Sequence, residues 1–253
     1  MPAPALHLPY GPDPEQYAEL TLPGSGVRAG TPAVIIIHGG YWRSRYSADL
    51  GRPLARDLAG RGFACWNLEY RRAGNGGGWP ETFQDICAGI DALAPAAARH
   101  GLDLSRVLLL GHSAGGHLAA LAAARTFARV PVAGVVLQSG VLDLAAAHRL
   151  GLSEDAVGNF LGCSPEQDPQ RYRDADPMRH LPLPVPAWVL HGEEDTTVPL
   201  SCSTEWAAAA RSSGTDVHLR LIPGDHFAMI TPGTAAWDAV VDALGQAAGI
   251  PVP

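Results

Sequence analysis

Val107-Leu108-Leu109-Leu110-Gly111-His112-Ser113-Ala114-Gly115-Gly116-His117-Leu118-Ala119-Ala120 joins an apolar strand to an Ala-rich helix through a serine set between two glycines. At such a join the serine is forced into a strained backbone conformation, and a side chain two residues to either side would collide with the neighbouring turn. Gly111 and Gly115 remove both side chains. A bare Gly-x-Ser-x-Gly arises often by chance in a chain with 29 glycines, but one placed between a buried strand and a helix reads as a nucleophile elbow.

Outward from this stretch, short apolar runs alternate with helical ones. The runs are Val34 to Ile37, Phe63 to Leu68, Val107 to Leu110, Val132 to Leu137, Ala187 to Leu190 and Val217 to Ile222. They are near-continuously apolar, as expected of parallel strands covered by helices on both faces. Tyr17 to Leu22 is expected to add an antiparallel edge strand. Helix-forming composition occupies Ala48 to Ala59, Thr82 to Arg99, Ala114 to Ala128, Ser203 to Arg211 and Ala235 to Ala247, with Pro95 predicting a kink or early end in the second. The interval 142–186, rich in Asp, Pro and Arg, breaks the rhythm and is expected to form a small cap. The predicted architecture is one α/β domain over 1–253, a mostly parallel central sheet flanked by helices.

Composition narrows the chemistry. A length of 253 residues with 47% hydrophobic content supports a sizeable core. A net charge of −7 without a basic run argues against nucleic acid or anionic membrane as a partner, and for a small-molecule substrate. All 18 basic residues are arginine, which excludes Schiff-base nucleophiles, Ser-Lys dyads and Walker P-loops; codon bias is the plain account of the missing lysine. Cys65, Cys87, Cys163 and Cys202 show neither CxxC pairing nor metal-ligand spacing, so they are expected to be reduced, and no cofactor or metal is implied. The start Met1-Pro2-Ala3-Pro4 lacks a secretory pattern, and no apolar run approaches the roughly 18 residues of a membrane span, so a cytoplasmic protein is expected. Oligomeric state is open.

A serine hydroxyl needs a base to take its proton and a carboxylate to orient that base. Asp195 follows the Ala187 to Leu190 strand in His191-Gly192-Glu193-Glu194-Asp195, and His226 follows the last strand in Pro223-Gly224-Asp225-His226-Phe227. Both fall on the carboxyl edge, where open α/β sheets place their sites. Glu193, Glu194 and Asp225 read as solvated loop charges; Asp143, past the strand ending near Ser139, is the stronger rival acid. Among ten histidines only His226 has both order and position; His112, His117 and His191 read as structural. His38-Gly39-Gly40-Tyr41-Trp42 follows the first parallel strand, where a glycine pair lets backbone N–H groups approach a developing oxyanion. The expected donors are Gly40, Tyr41 and Ala114, with His38 tying the loop.

These motifs resemble the α/β-hydrolase superfamily over nearly the whole chain, and Ser113, Asp195 and His226 match its triad positions in the order Ser, Asp, His. His38-Gly39-Gly40-Tyr41-Trp42 is similar to the HGGYW or HGGxW loop of kynurenine formamidase (arylformamidase) and related carboxylesterase families; lipase-like relatives carry HGGG. Glu69-Tyr70-Arg71-Arg72 to Trp79-Pro80 to Asp85 resembles a segment of hormone-sensitive-lipase-like esterases. Tyr41 in place of the third glycine and Arg72 in place of leucine depart from that group and favour formamidase-like relatives.

The resemblance implies a serine hydrolase of small carboxylic esters or aryl formamides. Tyr41, Trp42, Trp79 and Phe227, with Phe160 and Tyr70, are together candidates for an aromatic-accepting pocket, although each taken singly suits core packing better. Arg71 and Arg72 suit either a substrate carboxylate or a structural ion pair with a residue such as Glu69. Two other readings remain: a compact prolyl-oligopeptidase-like peptidase or acyl-peptide hydrolase, and a non-catalytic ligand-binding protein on a hydrolase fold.

Overall fold

A computed structural model describes residues 4–252, so the reading of Met1-Pro2-Ala3 lies outside the described residues. Eight strands form one sheet: β1 (Leu6–Pro9), β2 (Tyr17–Thr21), β3 (Ala33–Ile37), β4 (Ala64–Leu68), β5 (Val107–His112), β6 (Gly134–Gln138), β7 (Ala187–Gly192) and β8 (Val217–Ile222). Their spatial order is β1-β2-β4-β3-β5-β6-β7-β8. β2 pairs antiparallel with both β1 and β4, and every other pairing is parallel. β1 was not expected; it is only four residues long and lies at the sheet edge, where Pro9 costs no ladder hydrogen bond.

The uniformly apolar central strands are explained by the two cores they separate. Ile35, Ile37, Leu109, Leu137 and Val189 face one core, while their neighbours Val34, Ile36, Leu108, Val136 and Leu190 face the other. The first core takes Ile86 of α2 (Glu81–Asp91), Leu93 of α3 (Leu93–His100), Leu118 of α4 (Ala114–Ala123) and Trp206 of α8 (Leu200–Ser213). The second takes Leu58 of α1 (Arg52–Gly60) and Val240 and Leu244 of α9 (Ala235–Ala248). Each such Leu, Ile or Val contributes roughly 1.5–3 kcal/mol by leaving water.

The expected helix over 82–99 is two helices that break at Ala92. Pro95 then sits in the first turn of α3, where an N–H has no intrahelical acceptor in any case. α4 ends at Ala123, short of the expected Ala128, and just beyond it Arg125 turns aside to pair with Asp91. The interval 142–186 contains α5 (Leu144–Arg149), α6 (Leu152–Leu161) and α7 (Pro169–Ala175), which pack Phe160 and Tyr172 onto the first core. Among the described residues no helix is long and apolar enough to cross a membrane.

α4 is buried along its whole length, which accounts for its Ala and Gly content: larger side chains would hold it off the sheet. A Cβ on Gly115 would lie 2.1 Å from the Ile37 carbonyl oxygen and 2.5 Å from that of His38, so the obstacle is the end of β3. Gly115→Ala is therefore expected to destabilise the fold by roughly 2–3 kcal/mol, read as a lower urea midpoint at unchanged slope.

Candidate active site

Ser113 sits between β5 and α4 with φ 55° and ψ −120°, a conformation an L-residue adopts only under constraint. The constraint is visible in its hydrogen bonds. Its N–H donates to the Gln138 carbonyl at 2.9 Å, and its own carbonyl accepts from Gly116 at 2.9 Å, His117 at 3.2 Å and Val141 at 3.2 Å. A Cβ on Gly111 would stand 2.3 Å from the Gly115 carbonyl oxygen, so both flanking glycines are sterically required.

The chain reaches the same edge again after β8, where His226 is buried beside the elbow. The His112 and His226 rings lie 4.6 Å apart, and His112 Nε2–H donates to the His226 carbonyl at 2.9 Å. Burial, then the neighbouring His226, pull His112 down to about 3, so it serves as a neutral donor.

His226 Nδ1–H donates to Asp195 Oδ2 at 2.7 Å, which leaves Nε2 as its free acceptor. Asp195 Oδ1 accepts from the Thr197 and Val198 N–H groups at 2.8 and 2.9 Å. Burial pushes the Asp195 carboxyl up. Its hydrogen bonds with His226, Val198 and Ser139 outweigh that effect and bring it down to about 2. The competing carboxylates are engaged elsewhere. Asp143 caps α5 by accepting from Ala146, Asp225 accepts from Phe227 and Ala228, and Glu193 and Glu194 are exposed.

After β3, His38 Nδ1–H donates to the Gly39 carbonyl at 2.8 Å while Nε2 faces the buried Glu69 and Arg72 pair; burial pulls this imidazole down to about 3. Gly40, Tyr41 and Trp42 all have positive φ, at 112°, 50° and 55°. For the two non-glycine residues this costs roughly 1–2 kcal/mol each. Among the described residues no acceptor engages the N–H groups of Gly40, Tyr41 or Ala114.

The aromatic candidates divide. Trp42, expected on the pocket wall, is fully buried: it stacks on Phe160 at 4.6 Å and donates to His117 Nδ1 at 3.2 Å. Phe160 and Tyr70 are core residues too, and Tyr70 donates its hydroxyl to the His38 carbonyl at 2.7 Å. Tyr41 is 7% exposed, with its hydroxyl donated to the Thr197 carbonyl. Trp79 is half-buried against Phe83. Phe227 is 54% exposed and stands perpendicular to the His226 ring at 5.2 Å, which makes it the open aromatic surface beside the histidine. Arg71 pairs with Asp85, and Arg72 with Glu69 and Glu15, so both take the structural role. Ser139 and Thr197 have no role in the sequence reading, where a serine one residue past a strand was the only available signal for the first; His117, read as structural, accepts from the Trp42 indole and donates to the Ala175 carbonyl.

The sheet order, the elbow and the loops at the carboxyl edge define an α/β-hydrolase. Residues 19–209 match the BD-FAE family model, and the chain belongs to that family. Esterase LipQ of Mycobacterium tuberculosis is 27% identical, with 96% of this chain and 61% of LipQ covered. The probable isoprenylcysteine alpha-carbonyl methylesterase ICME of Oryza sativa is 26% identical, with 85% and 56% covered. The chain thus spans less than two thirds of the length of these relatives. Among solved structures, esterase B from Lactobacillus rhamnosis superposes with a TM-score of 0.84 at 23% identity, covering 98% of this chain and 86% of that one. A bacterial heroin esterase superposes with a TM-score of 0.78 at 25% identity, covering 98% and 84%.

The depressed Asp195 carboxyl gives a pH prediction. A carboxyl held below its ordinary 3.8 contributes stability that is complete above that value and is lost as the pH falls through about 2. Denaturant unfolding should show wild-type protein losing stability relative to Asp195→Asn between about pH 4 and 2.

Proposed function

We propose that this chain is a serine esterase acting on small carboxylic esters through an acyl-enzyme. The observation that carries the reading is the buried Asp195–His226 pair, 2.7 Å apart, on the same sheet edge as a serine held in a strained turn. In this reading Ser113 Oγ attacks the ester carbonyl as His226 Nε2 takes its proton, and Asp195 stabilises the imidazolium that forms. The unengaged N–H groups of Gly40, Tyr41 and Ala114 receive the negative charge on the carbonyl oxygen, each donor supplying roughly 3 kcal/mol. His226 returns the proton to the departing alcohol, then activates the water that releases the acid. The names of LipQ and ICME, an esterase and a methylesterase, support the ester class.

Aryl formamides are the second reading, favoured by the Gly39-Gly40-Tyr41-Trp42 loop and by the exposed Phe227 ring as a surface for an aryl group. The same nucleophile would form a formyl-enzyme and release an arylamine.

Ser113→Ala is expected to lower hydrolysis of p-nitrophenyl acetate by at least about 10⁴-fold while leaving the thermal midpoint near wild type. Retained turnover would sink the mechanism, and failure of a fluorophosphonate probe to label Ser113 would favour a ligand-binding protein. Wild-type protein should also cleave short acetyl esters faster than N-formylkynurenine and aminoacyl arylamides. The reverse ranking, measured as kcat/KM across the panel, assigns a formamidase or a peptidase instead.

A further inference from the structure

The loop after β3 cannot hold its shape through the groups it has to keep free. Its left-handed residues Tyr41 and Trp42 are maintained with no acceptor on the Gly40 or Tyr41 N–H among the described residues. Carbonyls and side chains must do the holding. The Gly40 carbonyl accepts from Arg43 at 3.0 Å and the Trp42 carbonyl from Ala73 at 2.9 Å, while the Trp42 indole is fixed by His117 and Phe160. For Tyr41, whose N–H is an expected oxyanion donor, the tie is its own side chain: the hydroxyl donates to the Thr197 carbonyl at 2.7 Å, across 156 residues of sequence.

The two ends of this tie are not equivalent. The turn that bears Asp195 is already fixed by bonds of its own, from Glu193 to the Ile222 carbonyl at 2.9 Å, Glu194 to the Gly224 carbonyl at 3.0 Å and His191 Nε2 to the Val198 carbonyl at 3.0 Å. That turn is the post, and the loop is what is held. A phenolic hydroxyl has one hydrogen, and here it is committed to Thr197, so the side chain is no oxyanion donor itself.

We infer that Tyr41 is a positioning residue: its side chain anchors the oxyanion loop to the acid-bearing turn and so sets where the loop N–H groups point. This rests on the serine-esterase reading. It assigns the Tyr41 side chain a task other than the substrate wall, and it explains how a loop that must leave its donors open stays in a strained backbone conformation.

Tyr41→Phe keeps the ring and removes the O–H. On p-nitrophenyl acetate its kcat is expected to fall about tenfold with KM within about twofold, because donor placement matters more in the transition state than in the bound ester. Affinity for phenylboronic acid, whose tetrahedral adduct with Ser113 carries an oxygen in the same place, should fall by the same factor. The acid limb of the pH–rate profile should stay where it is. Replacement of Tyr41 by 4-aminophenylalanine, which restores a donor at similar reach, should recover most of kcat. A Tyr41→Phe variant with wild-type kcat and boronic acid affinity overturns the inference, even if its thermal midpoint drops, since the hydroxyl would then only satisfy a buried polar group. A shifted acid limb at unchanged boronic acid affinity also overturns it, by making the acid turn the held partner. Wild-type protein that neither turns over the ester nor labels at Ser113 overturns the esterase reading and this inference with it.

Discussion

The close approach of α4 to the end of β3 is the constraint on which the carboxyl edge depends. With no side chain at Gly115, the helix start packs so closely on the end of β3 that a Cβ there would lie 2.1 Å from the Ile37 carbonyl oxygen. That contact places Ala114 N–H, Ser113 and the loop after β3 in one small volume. Backbone strain at Ser113 follows from it, and four backbone hydrogen bonds to that residue offset the strain. Small residues along α4 are thus a positional requirement as well as a packing one.

Around this contact the site divides into parts that hold themselves and parts that are held. The Asp195 turn is bonded to β7 and to the β8 loop through its own backbone, and its carboxylate is engaged by two N–H groups, His226 and Ser139. Neutral, buried His112 ties the His226 backbone to the elbow, and neutral His117 links Trp42 to the Ala175 carbonyl of the cap. Burial lowers both of these histidines, which suits fixed hydrogen-bonding struts better than titrating groups. The loop after β3, by contrast, is held through its carbonyls and side chains, because in the proposed mechanism its Gly40 and Tyr41 N–H groups are reserved for the oxyanion.

Much of this was legible in the sequence because it is written in local backbone chemistry. Glycines at 111 and 115, and the glycine pair at 39 and 40, are demanded by close approaches that only glycine permits, so these motifs mark places where the fold packs backbone against backbone or side chain. Central strands were readable from continuous apolar runs. The edge strand β1 was not, since four residues ending in proline carry no such signal. Trp42 was read as pocket wall because an aromatic residue in a loop does not reveal which way it turns; its indole turns into the core against Phe160. Long-range partners such as Thr197 for Tyr41, or Ser139 for Asp195, arise only once separate strand ends are brought together.

In the proposed mechanism Ser113 carries the acyl group between substrate and water. The most direct measurement is rapid-quench peptide mapping by mass spectrometry during turnover of p-nitrophenyl acetate. One acetyl group on Ser113 should appear with the burst of nitrophenol and decay as the substrate is exhausted. Turnover with Ser113 unmodified throughout, or with acetyl on another residue at a kinetically competent rate, would contradict it.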